Sequence, residues 1–136
     1  MPTFSKDERL CRFHLIRKLF SKGSSVTIYP YRMIWLATDE EIPAQAQVLF
    51  SYKRKAIRRA TDRNRIRRLN KEAYRKCKHR LYSVLENTKK KCIFAIIYLD
   101  KNIPAYPVVE QKMNQLIDRL IEEYEKGSDS TVRRPD

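Results

Sequence analysis

Between Asp62 and Lys76 the chain reads DRNRIRRLNKEAYRK, which sets Arg63, Arg65, Arg67, Arg68, Lys71, Arg75 and Lys76 against only Asp62 and Glu72. Like charges this close repel one another unless a polyanion lies against them, so the chemistry the stretch suits is the gripping of phosphates. From Ile57 to Arg80 there are eleven Lys or Arg and two acids. Such a density supports electrostatic binding with a large counterion-release term. Arginine predominates, and its planar fork holds a phosphate bidentately or lies beside a base, which an ammonium does less well. Groups that would cut a phosphodiester are not assembled in the same way. Hydrolysis by a protein needs clustered carboxylates for divalent metals or a positioned acid–base pair, whereas Asp39, Glu40 and Glu41 cluster only in a connection and His14 and His79 fall on separate predicted helices. No catalytic residue and no metal ligand is assigned. The expectation is a binding protein, with a small metal-dependent nuclease as the weakest alternative.

A helix must carry this cluster. At 100° per residue, Ile66, Leu69, Ala73, Cys77 and Val84 share one side of a predicted helix running from Asp62 to about Glu86, while Asn64, Arg68, Lys71 and Arg75 lie opposite and Arg65 and Lys78 flank them. One face docks and the other binds. Upstream, QVLFSY (Gln47 to Tyr52) has strand composition and a basic linker, Lys53 to Arg59, leads into the helix. A helix-turn-helix would want a short helix and a tight turn there, so RNA, recognised through backbone shape and single strands, is favoured over DNA.

The remaining elements form a frame around that helix. Glu8 to Phe20 places Phe13, Ile16, Leu19 and Phe20 at helical spacing before the stop SKGSS, and Val26 to Thr38 is expected as one strand with Pro30 near its start. DEEIPA (Asp39 to Ala44) connects it to the next strand. Lys91 to Leu99 is the most apolar stretch and predicts a central strand covered on both sides. After DKNIPAYP, the apolar series Met113, Leu116, Ile117, Leu120, Ile121 and Tyr124 marks a last helix whose outer face carries Glu110, Asp118, Glu122, Glu123 and Glu125. Gly127 is expected to end it, with residues 127–136 forming a disordered tail.

The 136 residues, 42% of them hydrophobic, are enough for one domain, placed at residues 1–126. A formal charge of +14 points to nucleic acid or an anionic surface. No membrane segment and no secretory signal is found, and a cytoplasmic location is expected. Cys11, Cys77 and Cys92 are too scattered for a disulfide frame or a thiolate zinc site and are expected to be free, packing thiols.

The run from Ser51 to Arg75, SYKRKAIRRATDRNRIRRLNKEAYR, resembles the signature of the protein component of bacterial ribonuclease P. The likeness is carried by Arg63-Asn64-Arg65, by Arg67-Arg68-Leu69 and by Glu72-Ala73-Tyr74-Arg75, and with the flanking elements it covers roughly Phe4 to Glu125. The resemblance implies an α/β sandwich, an α+β arrangement with a mostly antiparallel central sheet, in which the arginine-rich helix joins parallel strands by a left-handed βαβ crossover. It implies a protein that binds a large catalytic RNA and helps it remove the 5′ leader from precursor tRNA, with Mg²⁺ held chiefly by the RNA and no obligate protein partner. Carried onto this chain, Arg63, Asn64, Arg65, Arg67, Arg68, Lys71 and Arg75 would face the catalytic RNA. Lys53, Arg54 and Lys55 stand where the family usually has a serine and a basic pair, and would add backbone contacts. The leader would lie between the first helix and the sheet, where the chain offers Phe13, Ile16, Phe20, Tyr31, Ile34 and Trp35, not all of which can point inward. Arg58 stands at a position often glycine in the family, and Ile16 where an aromatic is common. A structural RNA-binding protein of ribosomal type is the alternative.

Overall fold

The computed structural model describes residues 4–126, so the expected tail lies outside the described residues. A single 3-10 turn, Lys6–Glu8, precedes α1 (Phe13–Lys22), the hairpin β1 (Ser24–Ile28) and β2 (Tyr31–Thr38), then β3 (Ala46–Tyr52), α2 (Ala60–Thr88), β4 (Lys91–Tyr98) and α3 (Tyr106–Lys126). The strands form one sheet in the order β1-β2-β4-β3. β2 pairs antiparallel with β1 and β4, and β3 pairs parallel with β4, so α2 is the crossover of a βαβ unit. β4 lies inside the sheet, as its unbroken apolar run requires. No helix among the described residues is long and apolar enough to cross a membrane.

Strand alternation divides the core in two. Tyr31, Met33, Trp35, Val48, Phe94, Ile96 and Tyr98 face α2 and α3 in the larger cluster, while Ile34, Ile93 and Ala95 meet Leu10, Leu15 and Leu19 beneath α1. The molecule is thus a three-layer sandwich with α1 alone on one side. Gly23 sets how closely the end of α1 approaches β2: a Cβ there would stand 2.8 Å from Ile34 Cγ2 and 2.9 Å from the Trp35 carbonyl oxygen.

Three expectations are corrected. The first helix starts at Phe13 rather than Glu8, because Arg9 and Leu10 lie alongside β3, where the Leu10 N–H donates to the Val48 carbonyl at 3.0 Å and Arg9 bridges Val48. Its buried contacts are Leu15 and Leu19, whereas Phe13 and Phe20 are exposed. The single strand predicted over Val26 to Thr38 is a hairpin, turned at Tyr29 and Pro30, which are joined by a cis peptide bond. On α2 the buried stripe is Ile66, Asn70, Ala73, Tyr74, Cys77, Lys78, Leu81 and Leu85, leaving Leu69 and Val84 only half-buried. The stripe was mis-phased because two polar residues belong to it. Asn70 accepts a hydrogen bond from the Tyr31 hydroxyl at 2.6 Å. Lys78 pairs with buried Glu8, which also accepts from the Tyr82 hydroxyl.

Cys77 and Cys92 are buried and free, as expected of packing thiols, and burial pushes Cys77 up to about 11. Cys11 is exposed and free.

Candidate nucleic-acid interface

α2 is 29 residues long, hence about 43 Å from end to end. Its buried stripe packs on α3 and the sheet, which turns Asn64, Arg65 and Arg68 into solvent and leaves Arg63, Arg67, Lys71 and Arg75 half-exposed along the borders. Arg65 and Arg68 have no hydrogen-bonding or ionic partner among the described residues. Arg75 is different. Its Nε and Nη2 donate to both oxygens of Glu72 at 3.1 and 2.6 Å, and that pairing holds the Glu72 carboxyl below its usual range. Lys53, Arg54 and Lys55 are exposed on the turn that follows β3, closed by Ala56 N–H donating to the Lys53 carbonyl at 2.9 Å. The structure therefore gathers the basic linker and the N-terminal half of α2 at one end of the molecule.

Tyr52, the last residue of β3, organises part of this surface and was not singled out from the sequence. Arg63 and Arg67 place their guanidiniums 5.7 and 5.5 Å from its ring centroid. Arg67 also donates to the Tyr52 hydroxyl at 3.3 Å and to Asn64 Oδ1 at 3.0 Å, while Arg63 Nε donates to the Ile57 carbonyl at 2.8 Å. The available signal was an aromatic immediately before a basic run. Arg9 was missed as well. Burial first, then the charges of Arg9 and Arg67, holds the Lys71 amine below its usual range, so Arg9, Arg67 and Lys71 form a concentrated positive field.

Of the residues assigned to the leader, the structure brings only some together. Phe13 is 70% exposed and Phe20 48%, with Ile16 half-buried beside them on α1. Ile34 shares that side of the sheet but is covered by α1. Tyr31 and Trp35 are corrected outright: alternation sends them through the sheet into the core under α2 and α3, where Tyr31 is fully buried and Trp35 retains 8% exposure. What lies open beside α1 is instead the strand-to-strand row Arg32, Ile97 and Ser51, which are cross-strand partners, exposed or half-buried, on the face Ile34 shares. Sequence reasoning did not place these three because the row exists only once β3 and β2 flank β4.

Protein groups suited to hydrolysis stay apart. His14 sits 3.0 Å from exposed Glu40 on the surface, His79 is exposed on α2, and no group of three His, Cys, Asp or Glu able to hold a metal occurs among the described residues.

A family model described as Ribonuclease P matches residues 4–121. The ribonuclease P protein component of Porphyromonas gingivalis is 35% identical over 121 residues, 88% of each chain, and that of Chlorobium phaeobacteroides is 26% identical over 125 residues, 85% of this chain and 86% of the other. Among solved structures, the ribonuclease P protein of Thermotoga maritima superposes with a TM-score of 0.60 at 21% identity, covering 82% of this chain and 96% of that one. The protein of Staphylococcus aureus gives a TM-score of 0.53 at 16% identity, covering 85% and 93%. At these identities the solved structures establish the fold, and the family match with the closer relatives establishes the kinship.

Proposed function

Because the chain belongs to the ribonuclease P protein family, and so is the protein subunit of a ribonucleoprotein endonuclease whose RNA is catalytic, we propose that it divides its RNA contacts between the two sides of its sheet. The exposed face of α2, with Arg65 and Arg68 outermost and Arg63, Arg67 and Lys71 beside them, takes phosphates of the catalytic RNA, and Lys53, Arg54 and Lys55 extend that contact. The opposite side takes the 5′ leader of precursor tRNA. There Phe20, Ile16 and Phe13 offer apolar and aromatic surface for bases, Arg32 meets a phosphate, and Ser51 and Ile97 complete the floor. The observation that carries the reading is the pair of unpartnered, exposed arginines, Arg65 and Arg68, on a helix whose other face is locked into the core.

The protein's part in the reaction is to bind and orient. Mg²⁺ supplies the activated water and charge stabilisation when bound, and in this reading it is held chiefly by the RNA. Positioning a leader close to the scissile phosphate converts substrate binding into a local, high-effective-concentration contact. The direct test adds the purified chain to precursor tRNA and Mg²⁺ with and without the catalytic RNA, at low magnesium. Cleavage is expected with both components and to be faster than with RNA alone. Cleavage by the protein alone, or binding that never alters the rate, would contradict the proposal.

A further inference from the structure

Arg63 and Arg67 lie one turn apart on α2, and in isolation two guanidiniums so placed would repel and sample many rotamers. Here both approach one aromatic ring, at 5.7 and 5.5 Å. The negative face of a ring offsets neighbouring positive charge without consuming hydrogen-bond donors. Arg67 spends one N–H on the Tyr52 hydroxyl and one on Asn64, at 3.3 and 3.0 Å, and Arg63 spends Nε on the Ile57 carbonyl at 2.8 Å. Both terminal amino groups of Arg63 and the remaining donors of Arg67 stay available for phosphate oxygens. Tyr52 is itself fixed. Its partner across the sheet is Tyr98, the next residue's N–H donates to the Tyr98 carbonyl at 2.8 Å, and the turn from Lys53 to Ile57 closes behind it.

We propose that Tyr52 is a positioning residue for the RNA interface, holding Arg63 and Arg67 as a preformed pair of phosphate grips beside the adaptable Arg65 and Arg68. The inference rests on the reading that this face of α2 binds the catalytic RNA. Ordering of long side chains is a large part of the cost of association, and a pair already ordered before contact avoids it. Tyr52 carries no charge, so it changes how well the arginines are presented and not how many counterions are released.

The experiment is equilibrium binding of the full chain to its catalytic RNA over a series of salt concentrations, for Tyr52→Phe, Tyr52→Ala, Arg63→Ala/Arg67→Ala and the combined triple variant, with thermal midpoints recorded for each. Removing the hydroxyl should weaken binding about threefold and removing the ring about tenfold, both with the salt slope unchanged. Losing the two arginines should lower the slope by about 2. In that background Tyr52→Ala should cost nothing further. Equal loss from Tyr52→Ala with and without the arginines, or no loss at all, overturns the positioning role while leaving the α2 interface standing. Should Tyr52→Ala not fold, Tyr52→Leu takes its place in the same comparison. Unchanged affinity and slope in the double arginine variant would overturn the interface itself, and the positioning role with it.

Discussion

Arg68 and Arg75 both lie on the side of α2 away from the core, yet they would meet a phosphate on different terms. Arg68 is exposed and unpartnered, while Arg75 is already held by both oxygens of Glu72. Arg65→Ala and Arg68→Ala should each weaken binding to the catalytic RNA and lower the salt slope by about 1, measured by titration across salt in folded variants. Glu72→Gln should do the reverse, strengthening binding and steepening the slope by removing the negative charge beside Arg75 and Lys76. An unchanged slope in all three would remove this face from the interface. Residue types and charge density were legible in the sequence, and so was the likeness carried by Arg63 to Arg75. Which arginines were already engaged was not, because the Tyr52 contacts depend on where a strand ends relative to a helix that begins eight residues later.

At the scale of elements, two devices decide where the binding surfaces sit. The first is the docking of α2. Leu81 is fully buried and Leu69 only half-buried, so Leu81→Ala should lower stability by about 2–5 kcal/mol and Leu69→Ala by clearly less, read from urea midpoints. The 3.6-residue period found this helix but mis-phased its stripe. A reading that admits only apolar residues to the core cannot see Asn70 bonded to Tyr31 or Lys78 paired with Glu8.

Glu8 ties the N-terminal segment to α2. Burial alone would raise its carboxyl, but hydrogen bonds from Lys78, Tyr82 and Ser5, with the Lys78 charge, outweigh burial and hold it below the ordinary 4.5. A carboxyl depressed in the folded state stabilises above its unfolded value, and that contribution is lost as pH falls through the folded one. Glu8→Gln should therefore be less stable at neutral pH and lose less further stability between pH 4.5 and strongly acid conditions than the parent, in urea melts across pH. The second device is the close approach at Gly23. Gly23→Ala must displace the end of α1 from β2, since the Ile34 side chain and the Trp35 carbonyl oxygen of β2 stand within 3 Å of the added carbon. The leader surface should suffer while binding to the catalytic RNA by α2 is retained.

Across the whole molecule, the end of β3 joins the two surfaces. Ser51 faces the open floor beside α1, and Tyr52, the next residue, faces the arginines of α2. Strand alternation thus lets one backbone segment contribute to both proposed surfaces. The order of elements and the central position of β4 could be read from composition and periodicity. The leader surface could not, because Tyr31, Ile34 and Trp35 look equivalent in the sequence and only pairing assigns each to a side.

The division of labour is tested most directly by holoenzyme affinity for precursor and mature tRNA as the leader is shortened, with and without the protein, and with Phe20→Ala/Arg32→Ala beside Arg65→Ala/Arg68→Ala. The protein should strengthen precursor binding more than mature binding, with the difference fading as the leader approaches a single nucleotide. With holoenzyme fully assembled, it should also be diminished by the first pair of substitutions and not by the second. Equal strengthening of precursor and mature tRNA, at every leader length and in every variant, would contradict a leader surface beside α1.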